Sequence, residues 1–374
     1  MLILTVNSGS TSVKLAAFDV ERGGEALRLR ASHSESLKQQ APREILGKFL
    51  SSLQGEHVDA VGHRVVHGGT TFTEPTLIDA HAADAIDELS ALAPLHNPAA
   101  VRWIEASRHY FDAKTQHVAV FDTSFFADMP RVATAYAVPQ HLGEKIGVRR
   151  YGFHGLAHGA MRRRWSELHP ALADNGRLIS LQLGGGCSMA AIAGGRAMDI
   201  SMGFSPLEGL MMATRSGDID AAVIPYLEQK LSCSSADVIE LLNTKAGLAG
   251  VSGGSSSITE LLADPGTESQ FAVALYCYRA RKYLGAFLAV LGGCDGIVFG
   301  GGVGEHVPEV RRRILEGMEW AGIFLDAQRN DDANGVEAAL HASNSIVSIH
   351  AIPVDEQTEI ARGVLKAWSP RSDT

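Results

Sequence analysis

A strand–polar turn–strand pattern occurs twice in this chain, and the two copies stand about half a chain length apart. The first is Leu4-Thr5-Val6-Asn7-Ser8-Gly9-Ser10-Thr11-Ser12-Val13, the second Leu181-Gln182-Leu183-Gly184-Gly185-Gly186-Cys187-Ser188-Met189. Gly9 and Gly186 are 177 positions apart in a sequence of 374. One glycine turn would say little, but a half-length echo points to a duplicated two-domain α/β architecture with a ligand in the cleft between halves. Length agrees, because single hydrophobic cores stop growing beyond roughly 250–300 residues.

Around these hairpins, alternation and apolar runs predict strands at 2–6, 13–20, 58–66, 117–121, 178–183, 189–193, 294–299 and 346–352. Helical spacing predicts helices at 82–93, 98–111, 219–230, 234–243, 267–291 and 308–321. The N-terminal run turns polar at Asn7 and has no basic flank, so it reads as a strand and not a signal peptide. The apolar stretch 283–303 is broken by Asp295 and glycines, which excludes a membrane span. Cys187, Cys233, Cys277 and Cys294 are scattered without a CxxC pair and read as reduced thiols. A soluble cytoplasmic protein is expected. With 33 Lys and Arg against 42 Asp and Glu, the net charge of −9 argues against nucleic acid and anionic membrane as partners.

Glycine is counted 39 times, about 10% against a usual ~7%. Much of that excess lies in turns after predicted strands, at Asn7 to Ser12, Gly184 to Ser188 and Gly300 to Gly304. Glycine lets backbone N–H groups approach an anion, and serine hydroxyls add donors, so three such turns suggest a phosphate cradle. No G-x-x-x-x-G-K-[ST] occurs, which excludes a P-loop, and no protein-kinase motif set is present. A carboxylate-binding fork is suggested by Arg64 beside Val66 in period-two phase. Asp122 ends an apolar strand, where an unpaired carboxylate is costly to bury. His154 and His158 stand at i,i+4 without the HExxH pattern, so one functional histidine with a structural partner is expected. Arg149 and Arg150 read as a solvated basic pair. Asp355 and Glu356 follow the strand at 346–352, a place able to hold Mg²⁺.

These segments resemble the acetate kinase family of the acetate and sugar kinase, heat-shock chaperone and actin superfamily. The resembling stretches include Val6 to Lys14, His63 to Gly69, Pro94 to Pro98, Phe121 to Thr123, Arg149 to Gly155, Ser201 to Leu210 and Thr214 to Asp218. The resemblance implies two duplicated actin-like (ribonuclease H-like) α/β domains with an interdomain active-site cleft. Domain I would be 1–150 plus about 359–374, and domain II 151–358. It implies direct in-line phosphoryl transfer from ATP to acetate, giving ADP and acetyl phosphate, in a cytoplasmic homodimer. By position, Asp122, His154, Arg215, Arg64 and His96 would be catalytic, and Asn7 and Glu356 would hold Mg²⁺, with Mn²⁺ the alternative ion. Arg64, Val66, Leu95, Phe153 and Pro206 would bind the acid. ATP would lie against Ser10, Ser12, Lys14, Gln182, Leu183, Gly184, Gly185, Gly186, Ser257, Ile258, Thr259, Gly302, Val303, Gly304, Glu305 and His306.

The donor side departs from the family pattern. Gln182 and Gly185 replace a histidine and an asparagine, Ser257-Ile258-Thr259 replaces Asp-x-Arg, Phe126 replaces a histidine, and His306 replaces an asparagine. A propionate or butyrate kinase, a kinase with a non-ATP donor, and a non-catalytic nucleotide sensor are the alternatives.

Overall fold

The computed structural model describes residues 1–9, 12–21, 26–36, 41–94, 96–112 and 114–368. It divides into two compact units. The first comprises Met1–Ala127, His154–Leu156 and Asp355–Thr374, and the second Asp128–Phe153 and Ala157–Val354. The division thus falls differently from the expected 1–150 plus about 359–374, with residues 128–150 in the second unit and the chain returning at Asp355.

The first unit contains β1 (Leu2–Ser8), β2 (Ser12–Val20), β3 (Leu27–Ser36), β4 (Ala60–Val65), β5 (Thr76–Leu77) and β6 (Gln116–Phe121). They form one sheet in the order β3-β2-β1-β4-β6-β5. The second unit contains β7 (Arg177–Leu183), β8 (Cys187–Ala193), β9 (Arg196–Ile200), β10 (Gly296–Gly300), β11 (Ala338–Ala339) and β12 (Ser348–Ala351). Their order is β9-β8-β7-β10-β12-β11. Substituting strand for strand gives the same topology. Each unit has two antiparallel hairpin pairings, two parallel pairings, and a two-residue antiparallel edge strand. Even the irregularity repeats, with register shifts at Ala17/Phe18 and at Ala191/Ile192. The half-length echo is therefore a structural duplication.

Period two in the first hairpin divides its side chains between two cores. Leu2, Leu4, Val6, Val13 and Leu15 pack with Ile45, Leu46, Phe49 and Trp103, from the helices Pro42–Ser52 and Asn97–Tyr110. Ile3, Ala16 and Phe18, with Val118 and Val120 of β6, pack against Ile360, Ala361 and Val364 of the helix Glu356–Ala367. Each fully buried Ile or Val contributes about 1.5–3 kcal/mol. Close approach of this helix needs Gly62 on β4, because a Cβ there would stand 2.7 Å from Ile360 and 2.6 Å from Val364. Asp355 caps the helix by accepting the Thr358 N–H at 3.0 Å, which leaves Glu356 in its first turn.

Three local expectations change. Asn7 and Ser8 are not in the turn but extend β1, pairing with Lys14 and Val13. Residues 301–304 do not form a turn after β10. They open a short helix, Gly301–His306, whose first N–H is accepted by Glu305 at 2.8 Å. The expected helix at 308–321 stops at Leu315 and is followed by a 3-10 turn, Glu319–Ala321. Cys187, Cys233, Cys277 and Cys294 are all free thiols. Among the described residues no helix is long and apolar enough to cross a membrane.

Buried imidazoles make stability depend on pH. His67, His117 and His350 are each pushed down to about 4, chiefly by burial. The unfolded chain protonates these groups below about 6.5 and the folded chain only near 4. Between those values the unfolded state binds more protons, so stability falls as pH is lowered. Urea unfolding from pH 7 to 4.5 should show that loss, with a smaller slope in His117→Asn; a flat profile would contradict it.

Candidate active site

In the first unit, three strand ends and one helix start bring four expected site residues together. Arg64 is the penultimate residue of β4, Asp122 follows β6 directly, and Asn7 lies near the end of β1. Glu356 opens the last helix. The Arg64 guanidinium grips Asp122 as a fork, with Nη2 at 2.6 Å from Oδ2 and Nε at 3.1 and 3.2 Å from the two oxygens. Its Nη1 donates to Asn7 Oδ1 at 3.0 Å and stands 3.6 Å from Glu356 Oε2. Asn7 Nδ2 in turn donates to Glu356 Oε2 at 2.7 Å. Asn7 is thus a link between guanidinium and carboxylate.

The charges are buried, with the Asp122 side chain only 1% exposed. Burial pushes the Asp122 carboxyl above its usual range, against the pull of Arg64. Burial opposes ionisation of Glu356 too, but there the Arg64 charge, the Asn7 amide, His154 and Lys14 prevail and hold it below the ordinary value. The Arg64 pKa is raised, because its two acidic neighbours outweigh the penalty of burial. Lys14 is exposed on β2, directly opposite Asn7.

A sharp bend delivers His154 to this unit. Gly152 and His154 both have positive φ, 78° and 59°. A non-glycine residue in that region carries strain of order 1–3 kcal/mol, a feature that clusters at functional sites. Gly155 then starts the helix Gly155–Leu168, and a Cβ on it would lie 2.0 Å from the Asp122 carbonyl oxygen. The following N–H, of Leu156, bonds the Asp122 carboxylate. That helix start therefore holds Asp122 from behind.

The remaining first-unit positions lie around this centre or outside the described residues. His96 precedes the helix Asn97–Tyr110, and Asn97 clamps His67 through both its N–H and its carbonyl, at 3.1 and 3.0 Å. Val66 is buried just past β4. Ser12 begins β2, its carbonyl accepting the Gly9 N–H at 2.8 Å. Ser10 and Leu95 fall outside the described residues.

In the second unit, Arg215 is half-buried and no carboxylate pairs it among the described residues. Its Nη1 donates to the Pro206 carbonyl at 3.3 Å and lies 3.9 Å from Met212 Sδ. Burial lowers its pKa. A desolvated guanidinium of this kind is a ready partner for an anion. Phe153 is buried. The turn after β7 is closed by Gly184 N–H to the Gly186 carbonyl at 3.0 Å, and the Gly185 carbonyl accepts from Ala213 at 3.1 Å. Gly185 itself is exposed, with nothing within 4 Å of a Cβ. Gln182 Oε1 is buried and has no partner among the described residues.

Leu183 and Ile258 have buried side chains, so only their backbone can meet a ligand. Ser257 Oγ caps the helix Ile258–Ala263 and contacts Thr259 Oγ1 at 2.9 Å. Gly302 is exposed, Val303 half-buried and Gly304 buried in Gly301–His306. Glu305 accepts the N–H groups of Gly301 and Val354, at 2.8 and 3.0 Å, and His306 contacts Asn334 at 2.9 Å.

Arg150 is the residue read least well from sequence. It is not solvated but half-buried, paired with Glu208, which also takes the Tyr136 hydroxyl. Positions 136, 150 and 208 share no local periodicity. The one available signal was that Arg150 and Glu208 each lie in a stretch resembling the family.

Oxygen donors at Glu356, Asn7 and Asp122 suit a hard cation. Among the described residues no cluster of three or more His, Cys, Asp or Glu could hold a metal ion. Mg²⁺ does not require one, because it keeps several waters and uses one or two carboxylates plus substrate phosphates. The residues present fit that mode.

Two variants test the bend. Gly155→Ala should displace Asp122 and cut activity at least tenfold, while the buried clash lowers the unfolding midpoint. His154→Gly relieves the strained φ, so its unfolding midpoint should equal or exceed the parent's while its turnover falls about 10²-fold. A His154→Gly protein that is less stable yet fully active would contradict the assignment.

The Acetokinase family model matches residues 20–362. An acetate kinase of Clavibacter sepedonicus is 41% identical over 393 residues, covering 98% of this chain and 99% of that protein. The crystal structure of Porphyromonas gingivalis acetate kinase superposes with TM-score 0.87 at 34% identity, covering 98% of this chain and 99% of that one. A propionate kinase from Francisella tularensis superposes with TM-score 0.87 at 31% identity, covering 97% and 98%.

Proposed function

The chain belongs to the acetokinase family, and from that premise we propose that it catalyses reversible phosphoryl transfer from ATP to acetate, giving ADP and acetyl phosphate. The observation that carries this reading is the buried Arg64–Asp122–Asn7–Glu356 constellation at the strand ends of the first unit. A surface ion pair would not need such sharing of donors among three strand ends and a helix start.

Phosphoryl transfer asks a protein for positioning and charge neutralisation rather than covalent help. Arg64 binds the acid, and Nη1 is the donor that Asp122 does not hold, at 3.0 Å from Asn7 Oδ1 and 3.6 Å from Glu356 Oε2. Asp122 fixes the plane of that guanidinium and orients the attacking carboxylate. Glu356, kept ionised, and Asn7 would hold Mg²⁺, which neutralises phosphate charge when bound. His154 and Arg215, with His96, stabilise the transferring phosphoryl group, and a cation so aimed is worth several kcal/mol. By the resemblance, Val66, Leu95, Phe153 and Pro206 would meet the methyl group. By the resemblance, the nucleotide would take the glycine turn 184–186 and residues 302–306, with Ser257 and Thr259 assigned to the nucleoside and Lys14, Ser10 and Ser12 to the phosphates.

Propionate is a second acid worth testing, since the propionate kinase superposes at the same TM-score as the acetate kinase. One methylene changes discrimination by only ~1–3 kcal/mol. The donor also needs a panel, because Gln182 leaves an amide oxygen unpartnered beside the phosphate turn. The resemblance further carries a cytoplasmic homodimer. Phe271 and Tyr278, both over half exposed on the helix Thr267–Leu291, are surfaces a second copy would cover. Light scattering at twice the chain mass would support the dimer.

A hydroxamate assay with acetate, propionate, Mg²⁺ and several phosphate donors should yield acyl hydroxamate, fastest with acetate and ATP. No product from any donor would refute the proposal. Arg215→Ala should lower kcat about 10³-fold with little change in KM. An effect confined to KM would move Arg215 into ground-state binding.

A further inference from the structure

Residues 201–222, which carry Pro206 and Arg215, form neither helix nor strand. An irregular stretch of that length cannot hold a guanidinium in register by backbone ladders, so its ties to the rest of the second unit matter. Thr214 and Ser216, beside Arg215, are held by backbone bonds with Ala246 and Leu242, both at 3.0 Å, whereas the stretch that carries Pro206 is tied by one side-chain cluster. Arg150 pairs with Glu208 and donates Nη2 to the Ile200 carbonyl, with the Ser201 and Met202 carbonyls at 3.4 and 3.5 Å. The Tyr136 hydroxyl donates to the other Glu208 oxygen and accepts the Phe204 N–H at 2.8 Å. Gly203 lies against both groups, and a Cβ there would overlap the Glu208 carboxylate and the Tyr136 oxygen.

The far flank is tied separately. Asp218 accepts the Gly209 N–H at 2.9 Å and the Tyr283 hydroxyl at 2.8 Å. Pro206 lies within the first tie, between Phe204 and Glu208, and its carbonyl is the oxygen that Arg215 Nη1 touches.

We propose that Tyr136, Arg150 and Glu208 are positioning residues for phosphoryl transfer, acting through Pro206 to aim the Arg215 guanidinium. None of the three needs to touch substrate. Glu208 spans the two donors, Tyr136 fixes Phe204, and Arg150 gathers the carbonyls where β9 ends. Together they set the Pro206 carbonyl and the pyrrolidine wall in one place. Misplacing such a group by about 1 Å can cost on the order of 10²-fold in rate. The proposal rests on the reading of Arg215 as a transition-state cation.

Tyr136→Phe removes one oxygen and keeps the ring, and Glu208→Gln keeps shape while removing charge. In the hydroxamate assay each should lower kcat tenfold or more, with KM for ATP within about twofold of the parent. Thermal unfolding reports whether each variant is folded, and either variant alone suffices. Placed in an Arg215→Ala background, the same substitutions should cause no further loss. Parental kcat in a folded Tyr136→Phe or Glu208→Gln protein, or a full additive loss in the Arg215→Ala background, would overturn the proposal. An unimpaired Arg215→Ala single variant would instead remove the reading beneath it, and the proposal with it.

Discussion

The grip of Arg64 on Asp122 is the interaction on which the rest of the first unit's chemistry depends. Two desolvated carboxyl groups beside one guanidinium are costly to assemble, and removing one member of such a buried set typically costs about 3–5 kcal/mol. Only good geometry sustains it, and that geometry comes from the sheet. β1, β4 and β6 are parallel neighbours, so their carboxyl ends lie side by side and present Asn7, Arg64 and Asp122 at one edge. Ligands of open α/β sheets bind outside the carboxyl ends of strands, and this edge is of that kind. The last helix adds Glu356 because Gly62 lets it lie close to β4.

The second unit repeats the sheet without repeating the charges. The carboxyl ends of β7 and β10 lead into Gly184 to Gly186 and into the helix Gly301–His306, where backbone replaces ionised side chains. Duplication of topology with divergence of chemistry is thus written at equivalent strand ends. One copy holds paired acids and a guanidinium. The other holds glycine, and among the described residues its Gln182 amide oxygen has no partner and its Arg215 no carboxylate.

Much of this was legible in the sequence. The half-length echo predicted the duplication because hairpin turns leave a compositional mark. Arg64 and Asp122 stood out because charged residues at the ends of apolar strands are costly without a purpose. Asn7 was assigned to a turn, since Asn-Ser-Gly-Ser reads as turn chemistry; tertiary pairing with Lys14 extended the strand instead. Residues 301–304 read as a loop for the same reason, and the carboxylate of Glu305 on the Gly301 N–H helps to hold them helical. Arg150 was misread as solvated because its partners, Glu208 and Tyr136, lie 58 and 14 positions away, beyond any local pattern. Long-range polar ties leave no periodic trace.

We propose that the Arg64–Asp122 pair is a reaction centre and not a structural ion pair. Asp122→Asn separates the two, since the amide keeps the shape and loses the charge. The decisive measurement is kcat for acetyl phosphate formation by this variant, corrected for the folded fraction. A reaction centre should lose about 10³-fold or more per folded molecule. A folded Asp122→Asn protein turning over within tenfold of the parent would contradict it.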